Sequence, residues 1–198
     1  MTLSRHLHHL RRRAPEARVC GNCQACCESL VVSVDEPGGF KKKAGTRCVH
    51  QCQTGCDIYD DRPTPCREWS CLWINGALPD AMRPDKSGLI LWESANSRGR
   101  LLGTEGVGHP VLMGRVSAPG MERRPKAEKT LRMLNRASVS VCLILSSGQR
   151  VFVCADGQTS RVQHYLGDVP MRRNGNRIYI DINYCRTTWP ADFGEVSE

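Results

Sequence analysis

The sequence predicts an α+β protein made of two unlike parts, a small cysteine-rich module followed by a mixed strand and helix half. Three observations lead there. Nine of the twelve cysteines fall between Cys20 and Cys71. Beyond residue 87 the chain carries five β-branched or apolar runs of strand length, at 88–93, 110–116, 139–145, 150–154 and 177–182. Between the second and third of these runs, residues 125–137 put Ala127, Leu131 and Leu134 on one face at helical spacing. A chain of 198 residues suits one domain, or a small module fused to a second small domain. The expected division is a basic arm at 1–18, the cysteine-rich module at 19–86 and the α+β half at 87–198.

Taken in order, residues 1–18 are rich in Arg and His, including Arg11-Arg12-Arg13, and read as a solvated lead. His6, His8 and His9 have no cysteine beside them to complete a tetrahedral metal set. Residues 29–34 are a short β-prone run. Residues 37–46 contain Pro-Gly-Gly and Lys41-Lys42-Lys43 and read as an exposed loop. A helix is expected from Thr64-Pro65, where threonine suits the cap and proline the first turn. It would carry Trp69, Leu72 and Trp73 on one core-packing face and end at Asn75-Gly76. Ser147-Gly148 and Asn174-Gly175 are hairpin signals. A short helix is expected at 159–166, stopped by Gly167. There is no internal repeat and no low-complexity segment.

Composition excludes some roles. Hydrophobic residues make up 40%, enough for a core, yet no apolar run approaches the roughly 18 residues of a membrane span. No membrane partner is expected. The N-terminal stretch lacks the apolar core of a secretory signal, so a cytoplasmic location is expected. Thiols stay reduced there, and reduced, closely spaced cysteines are more often metal ligands than disulfides.

The first cysteine block is Cys20-Gly-Asn-Cys23-Gln-Ala-Cys26-Cys27. Two-residue gaps let a tight turn aim neighbouring sulfurs at one centre, and C-x₂-C-x₂-C is also how a bacterial iron–sulfur run begins. Here the next cysteine is adjacent instead of four positions on. Adjacent cysteines in an extended segment point opposite ways, which favours a polynuclear centre or two neighbouring sites. The second block is Cys48, Cys52 and Cys56, each four apart, then Cys66 and Cys71. Cys66 falls in the first turn of the expected helix, where the helix terminus and Arg62 or Arg67 would lower its pKa. His50, between Cys48 and Cys52, is the histidine worth testing as a ligand. Cys142 and Cys154 sit in apolar runs and read as core thiols; Cys185 is left undecided. Metal also changes the charge. Eight thiolates against two Zn²⁺ would bring the formal +8 to about +4, and four on a [4Fe–4S]²⁺ cluster would leave about +6.

These residues carry a resemblance. Cys20 to Cys27, then Cys48, then Cys56-Asp-Ile-Tyr59, Arg62-Pro63-Thr-Pro-Cys66-Arg67 and Cys71 resemble the CxxCxxCC family, a zinc- or iron-chelating domain. The string C-x-I-Y-x-x-R-P-x-x-C-R is far more specific than a cysteine pair. The resemblance covers about residues 20–74 and implies metal chelation. Cys52 lies outside the shared pattern and is the expected spare. A flagellin lysine methylase looks similar in its cysteines, so enzymes can carry them. This chain shows no glycine motif for nucleotide or S-adenosylmethionine.

Three functions compete. The first is a metal-binding protein with a metal-stabilised module and no clear turnover. It would hold zinc or iron, the iron as an ion or as an iron–sulfur cluster, through Cys20, Cys23, Cys26, Cys27, Cys48, Cys56, Cys66 and Cys71. The second is an iron–sulfur enzyme or electron carrier. The third, a zinc-dependent nucleic-acid module, is disfavoured. Arg123-Arg124 and Arg172-Arg173 read as solvated faces, aromatics are only 6%, and no basic segment is interleaved with them. No nucleophile constellation stands out: Ser146-Ser147-Gly148 lacks elbow spacing, His109 and His164 are isolated, and the glycines of 103–108 lack the phosphate-loop lysine. The later half either binds a protein partner or only completes the fold.

Overall fold

The computed structural model describes residues 18–34, 39–93 and 111–188. The expectations for His6, His8, His9, Arg11 to Arg13, residues 103–108 and His109 lie outside the described residues.

The architecture is α+β. Its cysteine-rich part has only short elements: α1 (Ala25–Ser29), β1 (Val32–Ser33), β2 (Lys41–Lys42), β3 (Gln51–Cys52), β4 (Gly55–Cys56), α2 (Thr64–Glu68) and α3 (Pro84–Ser87). The strands pair as two small antiparallel ladders, β1 with β2 and β3 with β4. The remainder is β5 (Leu89–Trp92), β6 (Val111–Val116), α4 (Pro125–Arg136), β7 (Ser140–Ile144), β8 (Arg150–Val153), α5 (Thr159–Leu166), β9 (Met171–Asn174), β10 (Arg177–Ile180) and α6 (Ile182–Thr188). These strands form one sheet in the order β5-β6-β7-β8-β10-β9. Only β6 and β7 run parallel, joined by α4 as the crossover such a pair needs.

Alternation along the strands divides the sheet's side chains between two cores. On one face Leu112, Val141, Leu143 and Val151 are buried with Ala127, Leu131 and Leu134 of α4. On the other, Cys142, Phe152, Ile178 and Ile180 are buried with Val162 and Leu166 of α5 and Cys185 of α6. All three late cysteines are core thiols, and burial pushes Cys154 up to about 11.

The cysteine-rich segments share the first of these cores. Cys23, Cys71, Leu72, Ala77 and Leu78 are buried in it together with Leu89 and Leu91 of β5. The Leu72 N–H donates to the Leu91 carbonyl at 2.8 Å, and the Ser29 hydroxyl to the Ser117 carbonyl at 3.3 Å. Arg18 is fixed in the same region, donating to the Trp73 and Leu78 carbonyls at 2.8 and 2.6 Å.

Four local expectations change. The helix begun at Thr64 stops at Glu68, because Trp69 turns extended and Leu72 is drawn to β5. The glycine signal was real but closes a separate turn: Ala77 N–H reaches Leu72 O and Gly76 N–H reaches Trp73 O, with Gly76 left-handed at φ 73°. Residues 41–42 form a strand, and Lys42 is buried instead of lying in an exposed loop. Two elements were missed. β9, Met-Arg-Arg-Asn, is a mostly exposed edge strand whose polarity hides it. For α6, the apolar run through Ile182 masks its start, where the Asp181 carboxylate accepts the Asn183 and Tyr184 N–H groups at 2.9 and 3.1 Å.

Leu131 is 1% exposed at the centre of α4's buried face. Leu131→Ala should cost about 2–5 kcal/mol of unfolding free energy in urea titration. A loss under about 1 kcal/mol would contradict its place in the shared core.

Candidate metal centre

The two cysteine blocks fold onto one another. Around Cys20 the chain makes a tight turn, with the Cys23 N–H donating to the Cys20 carbonyl at 2.9 Å, and runs directly into α1. Cys26 and Cys27 therefore lie on a helix, about 100° apart around its axis, and not on the extended segment expected. Cys27 lines the cavity described below, while Cys26 packs toward the core.

Opposite them stand the β3–β4 hairpin and α2. Three side chains fasten the two blocks. Gln24, just before α1, donates to the Cys52 carbonyl. Gln51 of β3 donates to the side-chain oxygens of Gln24 and of Glu28, the latter at 3.0 Å. Lys42 threads between them, its ammonium donating to the carbonyls of Glu28, Lys43 and Thr46 at 3.0, 3.0 and 2.8 Å.

The motif that specified the resemblance has a visible local role. Tyr59 brings its hydroxyl to the Cys20 N–H, at 3.4 Å. Arg62 lies over the Tyr59 ring, 3.6 Å from its centroid, and donates to the Tyr59 carbonyl at 2.6 Å. The Pro63 carbonyl accepts the N–H groups of Cys66 and Arg67 at 2.9 and 3.1 Å, starting α2.

The result is a cavity of about 60 Å³ lined by Cys20, Cys23, Cys27, Cys48, Cys56 and Cys66. His50 lines it too, with Nδ1 3.2 Å from Asp57 Oδ1 and its ring edge on Phe40, 5.5 Å between centroids. A carboxylate on one imidazole nitrogen orients the other for ligation. Cys26 and Cys71 are set back toward the core, near enough that their charges act on those of the cavity cysteines. Cys52 does not line the cavity. Its sulfur lies 3.5 Å from the Thr54 hydroxyl, a bond that lowers its pKa. All twelve cysteines are free thiols.

The electrostatics follow from crowding. Burial, then the charge of Cys71, raises Cys20; burial pushes Cys23 up to about 11. Burial raises Cys56 and Cys71 as well. Cys66 is raised by burial and by Cys27, Cys48 and Cys56, against a smaller opposing effect of Arg62. The expected lowering of Cys66 is thus reversed, since a five-residue helix offers little dipole against desolvation. The vicinal pair splits a proton: Cys26 donates to Cys27, which raises Cys26 and brings Cys27 down to about 7. Backbone N–H groups meet several sulfurs, those of Asp85 and Ala25 at Cys23 and that of Ile58 at Cys56.

The donor set fits a thiophilic metal in chemistry and grouping: soft sulfur ligands, reduced, around one small space. It is not drawn together, for among the described residues no three His, Cys, Asp or Glu side chains are disposed to hold an ion as they stand. No helix among the described residues is long and apolar enough to cross a membrane. Comparison with protein-family models, with curated proteins and with solved structures returns no match.

The closeness of the two blocks rests on Gly55, whose φ is 142° and whose absent Cβ would lie 2.5 Å from the Gly21 carbonyl oxygen. Gly55→Ala should destabilise by about 2–4 kcal/mol and expose cavity thiols to a disulfide reagent. Gly45→Ala, with φ 75° but open space, should cost only about 1 kcal/mol. Equal effects in denaturant titration would remove the Gly21–Gly55 contact from the account.

Proposed function

We propose that the chain is a metal-binding protein that holds zinc or iron, the iron as an ion or as an iron–sulfur cluster, through its cysteine cluster and without catalytic turnover. One observation carries this reading: six reduced cysteines from both sequence blocks line a single cavity of about 60 Å³. Cys26 and Cys71 stand behind them, so the eight thiols that the CxxCxxCC resemblance singles out occupy one neighbourhood.

Cys20, Cys23, Cys27, Cys48, Cys56 and Cys66 would hold the metal, with Cys26 and Cys71 as ligands or as thiols beside it. Zinc would supply a structural cross-link and an iron–sulfur cluster an electron-transfer centre. The chain's own groups prepare the place. Arg62 and Lys42 set positive charge beside the sulfurs. The N–H groups of Asp85, Ala25 and Ile58 offset developing negative charge on sulfur.

A second reading, an iron–sulfur enzyme or electron carrier, is favoured by one feature. More than four thiols surround the cavity, and Cys26 stands behind it next to Cys27, which lines it. That excess suits a polynuclear centre better than one closed four-cysteine site.

Elemental analysis and acid-labile sulfide on protein purified without oxygen test the proposal. The expected result is about one to two zinc per chain without sulfide, or iron with matching sulfide. Cys56→Ser should lower metal content and melting temperature, by about 5 °C or more. Cys52→Ser should change neither. Protein free of both metals in every preparation, with Cys56→Ser melting like the parent, would refute the reading.

A further inference from the structure

A hollow of about 280 Å³ opens beside α4, lined by Met82, Lys129, Arg132, Met133 and Arg136. Among the described residues no cysteine, no carboxylate and no aromatic ring lines it. At about 100° per residue, Lys129, Arg132 and Arg136 fall within about 60° of arc on the helix. That arc lies opposite Ala127, Leu131 and Leu134, which enter the core. The three cations are exposed, whereas Met82 is buried and Met133 half-buried. The hollow therefore has a cationic rim and a thioether wall.

The rim charges are uncompensated. Like charges three and four positions apart on a helix repel, and Lys129–Arg132 and Arg132–Arg136 stand at those spacings. The carboxylates on and beside the helix are engaged elsewhere. Asp80 accepts from the Trp73 indole at 3.0 Å and lies 3.7 Å from Arg18. Both Asp85 oxygens are held by Arg83 at 2.7 Å. Glu128 pairs with Arg177, and Glu122 with Arg123 at 3.6 Å. Among the described residues, none forms a side-chain hydrogen bond or ion pair with Lys129, Arg132 or Arg136.

Three cations around one concave space match an anion with several charged groups. A single carboxylate would leave two of them unanswered. Adjoining phosphates answer all three. The backbone positions of Lys129 and Arg136 are about 10 Å apart along the axis, and their long side chains can converge on such a group. Arginine forks grip phosphate oxygens two at a time. A nucleic-acid strand would instead want an extended basic track with aromatic platforms for its bases.

We propose that this hollow binds the oligophosphate group of a small molecule, with Arg132 and Arg136 on phosphate oxygens, Lys129 as a third charge, and Met82 and Met133 excluding water on one side. The site uses no cysteine and goes beyond the metal reading.

Calorimetric titration of the full chain with orthophosphate, tripolyphosphate and ATP tests this, without added divalent metal. It is run on protein as purified and on protein treated with chelator, so that capture of a bound metal by the probe is told apart from binding to the hollow. Tripolyphosphate should saturate at one per chain and bind about tenfold or more tighter than orthophosphate in both preparations. Arg132→Gln and Arg136→Gln should each weaken it about tenfold. Lys126→Gln, exposed on the same helix but outside the hollow, should weaken it less than about twofold. All three positions are exposed, so the variants should fold like the parent. ATP binding at least as tightly as tripolyphosphate makes a nucleotide the source of the phosphates, and weaker ATP binding makes it free oligophosphate. Absence of saturable binding, equal affinity for orthophosphate and tripolyphosphate, binding seen only before chelator treatment, folded Arg132→Gln and Arg136→Gln that bind like the parent, or an equal loss in Lys126→Gln would overturn the proposal. So would a single-stranded oligonucleotide that binds tighter than tripolyphosphate, which would make a nucleic-acid strand the occupant. Tripolyphosphate binding in a chain found free of metal would leave this site standing while the metal reading falls.

Discussion

Sulfurs gathered round one small, partly buried space cannot all ionise there unless a positive charge joins them. Each thiolate loses solvation and gains repelling neighbours, so the folded chain holds Cys20, Cys23, Cys56, Cys66 and Cys71 above the ordinary thiol value. Cys27 is brought down by the hydrogen bond from Cys26 and by the charges of Lys42 and Arg62. A divalent ion among the sulfurs would add to each thiolate an attraction able to outweigh these penalties. Buried Lys42 and stacked Arg62 already lean that way, but two cations placed at the edge do not neutralise eight sulfurs.

The same crowding explains how the cysteine-rich segments are built. Their helices have four or five residues and their strands two, too little for independent stability. They borrow the sheet's core through Leu72, Ala77 and Leu78, and they lock to each other through Gln24, Gln51 and Lys42. A cross-link at the cavity would join the same segments that these side chains join. A metal bound there would add to the order that the core already supplies, as metal does in metal-stabilised modules.

Much of the α+β half was legible because its signals are local. Gly148 and Gly175 turn their hairpins, and Ala127, Leu131 and Leu134 repeat at the helical period with nothing competing. What failed depended on distant partners. Trp69 to Leu72 reads as helix until β5 offers Leu72 a carbonyl, and β9 is too polar to announce itself without β10 beside it. At the candidate centre, spacing and the Tyr59–Arg62–Pro63 string singled out the cysteines in sequence but left open which of them share a site. The burial of Lys42 was not, because three adjacent lysines look alike and only the fold chooses one. The rise of Cys66 was missed for a related reason. Its helix start and arginines are written in sequence, while the sulfurs that outweigh them come from elsewhere in the chain.

The central claim is that these cysteines, and not oxygen or nitrogen groups, hold the metal. X-ray absorption at the zinc and iron edges of anaerobically purified protein tests it most directly. The account predicts a first shell dominated by sulfur at about 2.3 Å, with iron neighbours in addition if the centre is a cluster. A first shell of light atoms alone would contradict it.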